Sequence, residues 1–442
     1  MMVTEHSRLS LSLCERIETR QANVCVIGLG YVGLPLAVAL SQAGFSTRGL
    51  DVDEEKVSRL RAGESYVIDV EDEALAEAVH SGRFRPECDS GAALAGADVV
   101  IITVPTPYTS TKQPDLRYVR AAAEAIRPHL RTGMLVVLES TTYPGTTQEV
   151  VQPRLEASGL RCGEDFLLAY SPERIEPGNK RFGLRNTPKI VGGTTPQSSD
   201  AAIALYSSVI ATVVPVSTPR VAEMAKLLEN TFRHVNIALV NEMAILCHEM
   251  GINIWEVIDA AATKPFGFMP FYPGPGVGGH CIPIDPYYFA WKVQEFKGCA
   301  RFIELAGQVN DQMPQVVVRR VQDALNDQQK SLSGARVMVV GVAYKRDIDD
   351  IRESPSLHVI EHLVRKGAAL TYHDPFVPTL ETKVGAFESV PLEPALLQAS
   401  DVVIIVTDHT DVDYETIVRC SALIVDTRNV LRRYHDCQII RL

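Results

Sequence analysis

The feature that most constrains the fold is a strand-like segment that runs straight into a glycine-rich turn and then a helix-like segment, at residues 23–44. The residues before the turn are apolar and mostly β-branched, which is typical of a strand buried on both faces of a sheet. Gly28, Gly30 and Gly33 have the GxGxxG spacing. The first glycine allows a tight turn, the second a close approach to a pyrophosphate, and the third close packing of helix on strand. A helix beginning near Val32 then points its N-terminus at that anion.

The acid at the end of the next strand bears on the choice of dinucleotide. Residues 45–50 predict that strand, and Asp51 follows it, 18 residues after Gly33. A carboxylate in this position accepts hydrogen bonds from the ribose hydroxyls and repels a 2′-phosphate, so NAD is favoured over NADP. The alternative is a glycine-rich turn with a purely structural role.

The strand-and-helix alternation continues along the chain and returns near its end. ADVVIITVPTP (97–107) and MLVVLESTTYPGTT (134–147) predict further strands, and such alternation indicates a parallel α/β sheet. ARVMVVGVAYK (335–345) and SDVVIIVTDHT (400–410) echo the first and third strands. The echo has no glycine triplet after Gly341, which predicts that it holds something other than a dinucleotide. The predicted fold class is α/β, with two Rossmann-like doubly wound domains.

A long helical segment separates the two sheets. Residues 221–251 contain no proline, and no glycine before the last position, so they predict one helix. Apolar residues lie almost all round this helix, which indicates burial at a domain or subunit junction. We therefore expect a helical middle domain and a homodimer.

Composition excludes several functional classes. A formal net charge of −11 argues against a general nucleic-acid or membrane-surface partner. Nine cysteines without a CxxC pair disfavour a disulfide framework or zinc ribbon and fit a reducing compartment. Charges interrupt the N-terminal segment, so neither a signal peptide nor a transmembrane helix is predicted. We expect a cytoplasmic protein.

Two polar side chains interrupt the apolar helix. Lys226 and Asn230 are four residues apart and therefore share one face. An ammonium and an amide directed at one point can bind an oxyanion. The structural alternative is a salt bridge together with a hydrogen bond between helices.

The loop PGPGVGGHCIPIDP (273–286) surrounds Cys281 with residues that no helix or strand interior tolerates. Glycine-rich backbone can cradle an anion or approach a ligand closely, which favours a nucleophilic role for the thiol. Asp285 could then act as a base or orient a water. The alternatives are a buried structural cysteine and a metal site with His280 and Asp285, for which further ligands are not evident.

Two other segments contain charged residues whose roles composition leaves open. Glu173 lies in the proline-bounded loop SPERIEPGN, where a carboxylate is either catalytic or part of a salt bridge. Lys345, Arg346 and Arg352 follow the first strand of the C-terminal echo. That position is the carboxyl edge of a sheet, where ligands bind, but a solvated run of charges is the alternative.

Taken together, these segments resemble the UDP-glucose/GDP-mannose dehydrogenase family over residues 22–440. The motifs that carry the resemblance are GLGYVGLPLA, VPTP, ESTTYPGTT, SPER, EMAKLLEN, GVGGHCIPIDP and the DDIRES segment. Within the family, SPERIEPGN and the Cys281 loop look most like bacterial UDP-N-acetylglucosamine 6-dehydrogenases. The resemblance implies an NAD-binding domain with a short leading helix (1–214), a central helical dimerisation and catalytic domain (215–328), and a nucleotide-sugar-binding domain (329–442).

The family resemblance implies a four-electron oxidation of a sugar C6 alcohol to a carboxylate, with two NAD. Cys281 would trap the C6 aldehyde as a thiohemiacetal, and a second hydride transfer would give a thioester. Lys226 and Asn230 would stabilise the oxyanions, and Asp285 would help a water or the lysine to move the proton. Capture would keep the aldehyde from hydrating or leaving between the two hydride transfers.

The resemblance implies further residues around the reacting atoms. Glu173 would assist hydrolysis of the thioester, and Thr141 would order a water near the cofactor. The implied cofactor contacts are Gly28, Gly30, Tyr31, Val32, Gly33, Asp51, Val104, Thr106, Pro107, Ser140, Thr141 and Arg352. The implied substrate contacts are Glu173, Arg174, Lys226, Asn230, Lys264, Phe271, Tyr272, Gly276, Gly278 and Lys345. No metal site is predicted.

The sequence departs from the UDP-glucose enzymes at two places. They carry an arginine from the neighbouring subunit ahead of the cysteine loop, where this chain has TKPFGF and Lys264 is the candidate replacement. The second glutamate of their SPEFLxEG motif falls at Pro177, beside Glu176. The sugar therefore stays open among UDP-N-acetylglucosamine, the N-acetylgalactosamine and N-acetylmannosamine analogues, UDP-glucose, TDP-glucose and GDP-mannose. The sequence is also compatible with a single-step β-hydroxyacid-type dehydrogenase and with a non-catalytic NAD-binding protein.

Overall fold

The computed structural model describes two compact units of the chain. Unit 1 comprises residues 1–229 and 291–296, and unit 2 comprises residues 230–290 and 297–442. The described residues are 5–109, 113–176, 179, 181–279, 281–436 and 438–442, with side chains from residue 12 onward.

Unit 1 contains an eight-stranded sheet. Its strands are β1 (Asn23–Ile27), β2 (Ser46–Leu50), β3 (Phe84–Glu87), β4 (Val99–Ile102), β5 (Leu135–Leu138), β6 (Leu167–Tyr170), β7 (Lys189–Gly193) and β8 (Val213–Val216). The order is β3-β2-β1-β4-β5-β6-β7-β8, with β6 and β7 antiparallel and the other neighbours parallel. The first six strands have the order of a dinucleotide-binding sheet, in which the strand order reverses between β1 and β4 and ligands bind at the carboxyl ends.

The helices of unit 1 connect these strands and cover the sheet. They are α1 (Glu5–Glu18), α2 (Gly33–Gln42), α3 (Glu54–Arg61), α4 (Asp72–His80), α5 (Ser90–Leu94), α6 (Arg117–Ile126), α7 (Gln152–Glu156) and α8 (Pro196–Tyr206). Leu13 and Ile17 of α1 are fully buried in the hydrophobic cluster that also contains five residues of α2. The end of the short leading helix is therefore part of the packed core.

The long helix α9 (Pro219–Glu249) confirms the prediction of one uninterrupted helix. Its first part belongs to unit 1 and its remainder, from Asn230, to unit 2. One stripe of the unit 2 part is apolar and exposed, at Phe232, Leu239, Met243 and Leu246. Spacings of seven, four and three residues place these side chains on one face of the helix.

Unit 2 contains a second parallel sheet and the remaining helices. The helices are α10 (Ile254–Ala262), α11 (Asp285–Gln294), whose end lies in unit 1, α12 (Arg301–Asp327), α13 (Pro355–Arg365), α14 (Pro394–Ala399) and α15 (Tyr414–Cys420). The strands are β9 (Arg336–Val340), β10 (Ala369–His373), β11 (Thr379–Thr382), β12 (Gly385–Glu388), β13 (Val402–Ile405), β14 (Ile424–Asp426) and β15 (Ile439–Arg441). The parallel sheet has the order β10-β9-β13-β14-β15, and β11 and β12 form a separate antiparallel pair.

The predicted α/β class with two Rossmann-like sheets is confirmed. The buried face of α12 packs against β9 and β13 in one core, so the end of the predicted middle segment and the C-terminal sheet fold together. The domain limits at residues 214 and 328 stay predictions. Among the described residues, no helix combines the length and apolar character needed to span a membrane.

Candidate active site

The glycine turn between β1 and α2 has three glycines with three different surroundings. Gly28 has a φ of +93°, and a Cβ atom added to it would lie 2.7 Å from the carbonyl oxygen of Thr103. A Cβ on Gly33 would lie 1.8 Å from the carbonyl oxygen of Gly28. At Gly30, by contrast, an added Cβ would meet no atom within 4 Å. The first and third glycines are therefore required by the fold, whereas the second leaves open space.

The residues beside this open space fit NAD. The carboxylate of Asp51 accepts hydrogen bonds from the backbone N–H groups of Leu29 (2.8 Å) and Asp53 (3.1 Å), which fix it next to the turn. At the start of helix α2 the N–H of Leu34 donates to the carbonyl of Gly30 (3.1 Å) and Pro35 has no N–H, so an anion at this turn would be bound by N–H groups that precede Leu34. Gly30 and the start of α2 would hold the pyrophosphate, and Asp51 would hold the ribose.

The loops after β4 and β5 carry the other predicted cofactor neighbours. The hydroxyl of Ser140 donates a hydrogen bond of 2.7 Å to the carbonyl of Val104 and so ties the two loops together. Thr141, Thr106 and Pro107 lie on these loops, at the carboxyl edge of the sheet. The structure thus places this part of the predicted set along one edge of unit 1.

A buried carboxylate on α9 holds the turn after β5. Glu223 is fully buried and accepts hydrogen bonds from the backbone N–H of Gly145 (2.5 Å) and from the N–H and hydroxyl of Thr147 (2.9 and 2.7 Å). Burial raises the pKa of Glu223, although these three donors oppose the shift. Glu223 was not among the predicted site residues, even though it lies three positions before Lys226 in the EMAKLLEN motif.

The predicted loop glutamate, Glu173, is held from two sides. One carboxylate oxygen accepts the backbone N–H groups of Arg174 (2.6 Å) and Ile175 (2.7 Å). The other accepts a hydrogen bond of 3.1 Å from the ammonium of Lys189. Burial by itself would raise the pKa of Glu173, but the Lys189 charge and these donors lower it. These contacts therefore favour the ionised form of Glu173.

The adjacent arginine of the same loop is engaged with α9. The guanidinium of Arg174 forms an ion pair with Glu229 (2.7 Å) and donates to the carbonyl of Pro188 (2.7 Å). These contacts fix the start of the loop, and the predicted contact of Arg174 with substrate stays a prediction.

Lys226 and Asn230 lie one turn apart on α9, as their spacing predicts. Lys226 is half-buried and, within the described part of the chain, makes no salt bridge or hydrogen bond through its ammonium. The amide of Asn230 donates to the carboxylate of Asp285 at 2.5 Å. The structural alternative thus holds in part for Asn230, whose amide bonds another helix, whereas no salt bridge accounts for Lys226.

Cys281 lies one turn before α11, in the same unit as Asn230 and Asp285. Its carbonyl accepts the backbone N–H groups of Ile284 (3.1 Å) and Asp285 (2.8 Å), so the cysteine forms the turn that starts the helix. Asp285 is buried, whereas Cys281 is half-exposed. The structure therefore places Cys281 in the turn that leads into Asp285, whose carboxylate holds the amide of Asn230.

The metal interpretation of this loop depends on His280, which lies outside the described residues. Among those that are described, no three His, Cys, Asp or Glu side chains form a group with metal-binding geometry.

The glycines of the cysteine loop are packed against the segment that follows β9. A Cβ on Gly278 would lie 2.6 Å from the Cβ of Tyr344, and one on Gly279 would lie 2.9 Å from the Tyr344 ring. The N–H of Gly279 donates to the carbonyl of Arg352 (3.1 Å). Gly276, with a φ of +137°, is close to Pro355 in the same way. The loop lies against residues 344–355 because it lacks side chains at these positions.

The other predicted substrate residues lie in unit 2 and have local partners. Lys264 is exposed, with its ammonium 5.0 Å from the ring centre of Phe266. The hydroxyl of Tyr272 donates to Asp259 (2.9 Å). The ring of Phe271 packs against that of Phe232 (5.7 Å). Arg352, which was predicted as a cofactor contact, also lies in unit 2 and forms an ion pair with Asp350 (2.6 Å). Lys345 is half-buried just after β9, at the point where the strand order of the second sheet reverses.

The aspartate after the second strand of the C-terminal sheet has more partners than Asp51. Asp374, at the position that corresponds to Asp51, is buried, and one of its carboxylate oxygens accepts the backbone N–H groups of Val342 (2.7 Å) and Ala343 (3.2 Å). The ring of His409 contacts the same oxygen at 3.0 Å, and the other oxygen accepts two further backbone N–H groups. Protein groups therefore occupy both oxygens of Asp374, so this carboxylate is not placed to hold a ribose as the half-buried Asp51 would be.

Comparison with known families decides the assignment. Residues 22–210 match the NAD binding domain of the UDP-glucose/GDP-mannose dehydrogenase family, residues 220–312 its central domain, and residues 338–433 its UDP binding domain. The chain belongs to this family. It is an NAD-dependent oxidoreductase acting on a CH–OH group, with a nucleotide sugar as its substrate class.

Several relatives support the same assignment. The chain is 36% identical over 418 residues to an NDP-N-acetyl-D-galactosaminuronic acid dehydrogenase of Ralstonia nicotianae, covering 92% of this chain and 96% of the relative. It is 37% identical over 395 residues to a UDP-N-acetyl-D-glucosamine 6-dehydrogenase of Pseudomonas aeruginosa, covering 89% and 92%. A solved UDP-D-ManNAc dehydrogenase of Pyrococcus horikoshii superposes with a TM-score of 0.87 at 33% identity, covering 95% of this chain and 98% of that one.

The structure also shows a buried network that sequence reasoning missed. Lys189 bridges Glu173 to Glu139 (2.8 Å), and the hydroxyl of Tyr206 donates to the same Glu139. The sequence offers two signals for this network, namely Lys189 at the start of the apolar segment KIVGG and Glu139 after a buried strand. Neither signal identifies the residue that each side chain contacts, because the contacts join separate strands.

Proposed function

We propose that this protein oxidises the C6 alcohol of UDP-N-acetylglucosamine to the uronic acid in two steps, using two NAD per sugar. The proposal rests on half-exposed Cys281, which forms the turn into Asp285, and on the hydrogen bond between Asp285 and the amide of Asn230. The names of the relatives support an N-acetylated sugar, since they refer to N-acetylglucosamine, N-acetylmannosamine and N-acetylgalactosaminuronic acid.

The chain's own residues account for a covalent route. NAD, when bound, supplies the hydride acceptor for each oxidation. The Cys281 sulfur, deprotonated to the thiolate, adds to the C6 aldehyde, and the aldehyde oxygen becomes an oxyanion that the amide of Asn230 and the ammonium of Lys226 stabilise. In the second oxidation the C6 hydride leaves this adduct, the carbonyl re-forms, and the product is a thioester. Asp285 orients Asn230 by accepting its N–H. Covalent capture keeps the aldehyde from hydrating or leaving, and positioned groups reach effective concentrations of roughly 10⁵–10⁸ M.

The route ends with hydrolysis of a thioester. A water attacks the carbonyl carbon while Glu173 accepts one of its protons, the C–S bond breaks, and the Cys281 thiolate leaves and is reprotonated. The ionised state of Glu173 fits this role, because the opposing effect of burial on its pKa is outweighed by the Lys189 charge and the backbone donors.

An NADH-release assay on a panel of nucleotide sugars tests the proposal. The panel contains UDP-N-acetylglucosamine, its N-acetylgalactosamine and N-acetylmannosamine analogues, UDP-glucose, TDP-glucose and GDP-mannose. We expect two NADH per UDP-N-acetylglucosamine, and no acid product from Cys281→Ala. Preference for another sugar would change the proposed substrate but not the proposed two-step oxidation. One NADH per sugar, with full turnover by Cys281→Ala, would instead support a single-step dehydrogenase. No NADH with any sugar would support a non-catalytic NAD-binding protein.

We also propose a homodimer formed through the exposed stripe of α9. Four apolar side chains on one face of a helix, Phe232, Leu239, Met243 and Leu246, are typical of an interface between subunits. A partner copy would place its own equivalent stripe there. We expect sedimentation to give twice the chain mass of 48.5 kDa, and Leu246→Glu to give a single chain. Ile68→Glu, at an exposed apolar position of unit 1, is the matched control. A single-chain mass for the unaltered protein would contradict the dimer.

A cytoplasmic location is proposed on chemical grounds. None of the cysteines that the structure describes forms a disulfide, and a reducing compartment keeps a nucleophilic thiol in the reduced state. Fractionation of cells that produce the protein tests this location.

A further inference from the structure

We propose that Lys189 is a positioning residue for Glu173, and that its buried ammonium, anchored on Glu139, sets both the place and the charge of the hydrolytic base. This inference rests on the proposed role of Glu173 in thioester hydrolysis. It assigns a role to Lys189 and Glu139, which would act through Glu173 without contacting the substrate.

The geometry joins separate strands of the unit 1 sheet. Lys189 is the first residue of β7, and Glu139 directly follows β5. Glu173 lies on the loop after β6. The ammonium of Lys189 is 2.8 Å from Glu139 and 3.1 Å from Glu173, and its side chain is only 4% exposed. The Lys189 ammonium therefore links the loop that carries Glu173 to the end of β5.

The anchor itself is fixed by a further side chain. Tyr206, the last residue of α8, donates its hydroxyl to the second oxygen of Glu139 and places its ring 5.2 Å from the Lys189 ammonium. Glu139 is thus held by a tyrosine and a lysine at once. A rigid anchor of this kind is what holds a base within the narrow geometric range that catalysis needs.

Two carboxylates share one cation in this network, so their proton affinities are pushed apart. Burial raises the pKa of Glu139 despite Lys189, whereas the effect of burial on the pKa of Glu173 is overcome by Lys189 and two backbone N–H groups, which lower it. Glu139 is therefore the member that takes up a proton, and Glu173 is the one kept ionised. Among the described residues of unit 1, Arg174 follows Glu173 in the chain and is paired with Glu229, and the titratable hydroxyl of Tyr206 bonds Glu139.

A purely structural role does not explain the arrangement well. A buried ion pair is often no more stabilising than apolar residues of the same volume, because removing charges from water is costly. The free-energy cost of burying the Lys189 charge is explained if the lysine keeps Glu173 ionised.

The first test is Lys189→Met, which keeps the side-chain length and removes the charge. Loss of a cation within 4 Å raises the pKa of Glu173, so the acid limb of the kcat profile moves to higher pH by about 1–3 units. Hydrolysis slows, and an acyl group accumulates on the Cys281 peptide, where mass spectrometry of quenched reactions detects it. The first burst of NADH keeps its amplitude.

Lys292→Met is the matched control. Lys292 is also largely buried in unit 1 and also bridges two carboxylates, Glu149 at 2.6 Å and Glu295 at 2.7 Å. This variant breaks a similar pair without touching Glu173, so we expect lower thermal stability with no shift of the acid limb and no acyl peptide.

Glu139→Gln makes a separate prediction and keeps the proposal testable if Lys189→Met does not fold. Because Glu139 takes up its proton before Glu173 does, a neutral amide at position 139 leaves the effect of the Lys189 charge on Glu173 in place, and the acid limb should keep its position. In the Glu173→Gln background, Lys189→Met should add no further loss of hydrolysis. An additive loss, or a shift of the Glu139→Gln limb to higher pH, would overturn the proposal. Absence of NADH formation by the unaltered protein on every sugar would instead count against the proposed function.

Discussion

The contrast between Gly30 and Gly33 allows the binding of NAD to be separated from the stability of the fold. Gly30→Ala adds a methyl group where no atom lies within 4 Å, and Gly30 is not among the glycines with positive φ. The free energy of unfolding of the apo protein should therefore stay the same or rise by about 0.4–1 kcal/mol. Gly33→Ala puts its methyl 1.8 Å from a backbone oxygen, so we expect a loss of about 3 kcal/mol or more.

The two substitutions should separate again when NAD is added. In Gly30→Ala the methyl group takes the space next to the turn N–H groups, and losing one hydrogen bond to a charged phosphate costs about 1.5–3 kcal/mol. That free energy corresponds to a Kd for NAD that is about 10- to 150-fold weaker. The physical cause is exclusion of the pyrophosphate and not a change in folding.

Urea unfolding of the apo protein and calorimetric titration with NAD measure the two quantities separately. Asp51→Asn is a useful control for folding. The amide oxygen of asparagine can still accept the hydrogen bond that the Leu29 N–H donates to Asp51 over 2.8 Å. The reasoning fails if Gly30→Ala is fully folded and binds NAD as tightly as the unaltered protein does. It also fails if Gly30→Ala unfolds as readily as Gly33→Ala.

Three further substitutions test separate contacts. Asp51→Asn removes the charge that repels a 2′-phosphate, so the ratio of the Kd values for NADP and NAD should fall at least about tenfold in a fluorescence titration. Glu223→Gln leaves the N–H of Gly145 facing an amide, and urea unfolding should show a loss of about 2 kcal/mol; an unchanged midpoint would contradict the role of Glu223 as an anchor. Asp401, whose pKa Lys330 and a backbone N–H lower to about 2, stabilises the fold above its unfolded pKa of about 3.9. Asp401→Asn should therefore cost about 1–2 kcal/mol at pH 7, and the difference should vanish as pH falls towards 2.

Local patterns in the sequence predict the elements with short-range causes. The GxGxxG turn and the terminal aspartate of β2 need only a run of about thirty residues, and both appear where the pattern places them. The uninterrupted helix α9 follows in the same way, since nothing between Pro219 and Glu249 breaks a helix. The loss of the triplet after Gly341 also has a local signature.

Contacts between distant segments leave no such signature. From the sequence, the glycines near Cys281 are expected to make room for a sugar, but the space beside Gly278 and Gly279 on their Cβ side is filled by Tyr344. No spacing rule connects residue 344 with residue 278, because the two meet only when the loop packs on the segment after β9. The contact of Gly276 and Gly278 with substrate is still a prediction.

By itself the sequence determined which chemistry this chain carries: a strand, three glycines and an aspartate for NAD, a lysine and an asparagine on one helix face, and a cysteine in a loop of glycines and prolines. Each of these has a cause within a few residues, such as a required φ, a helical spacing or a missing side chain. Only the tertiary structure decided what holds that chemistry in place. Glu223 anchors a turn from a distant helix. Lys189 joins Glu139 to Glu173 because the ends of β5 and β6 and the start of β7, which is antiparallel to β6, lie at one edge of the sheet. Because Lys189, Glu139 and Glu173 are buried together, the charge of each affects the pKa of the others. This coupling follows from tertiary packing and cannot be derived from their positions in the sequence.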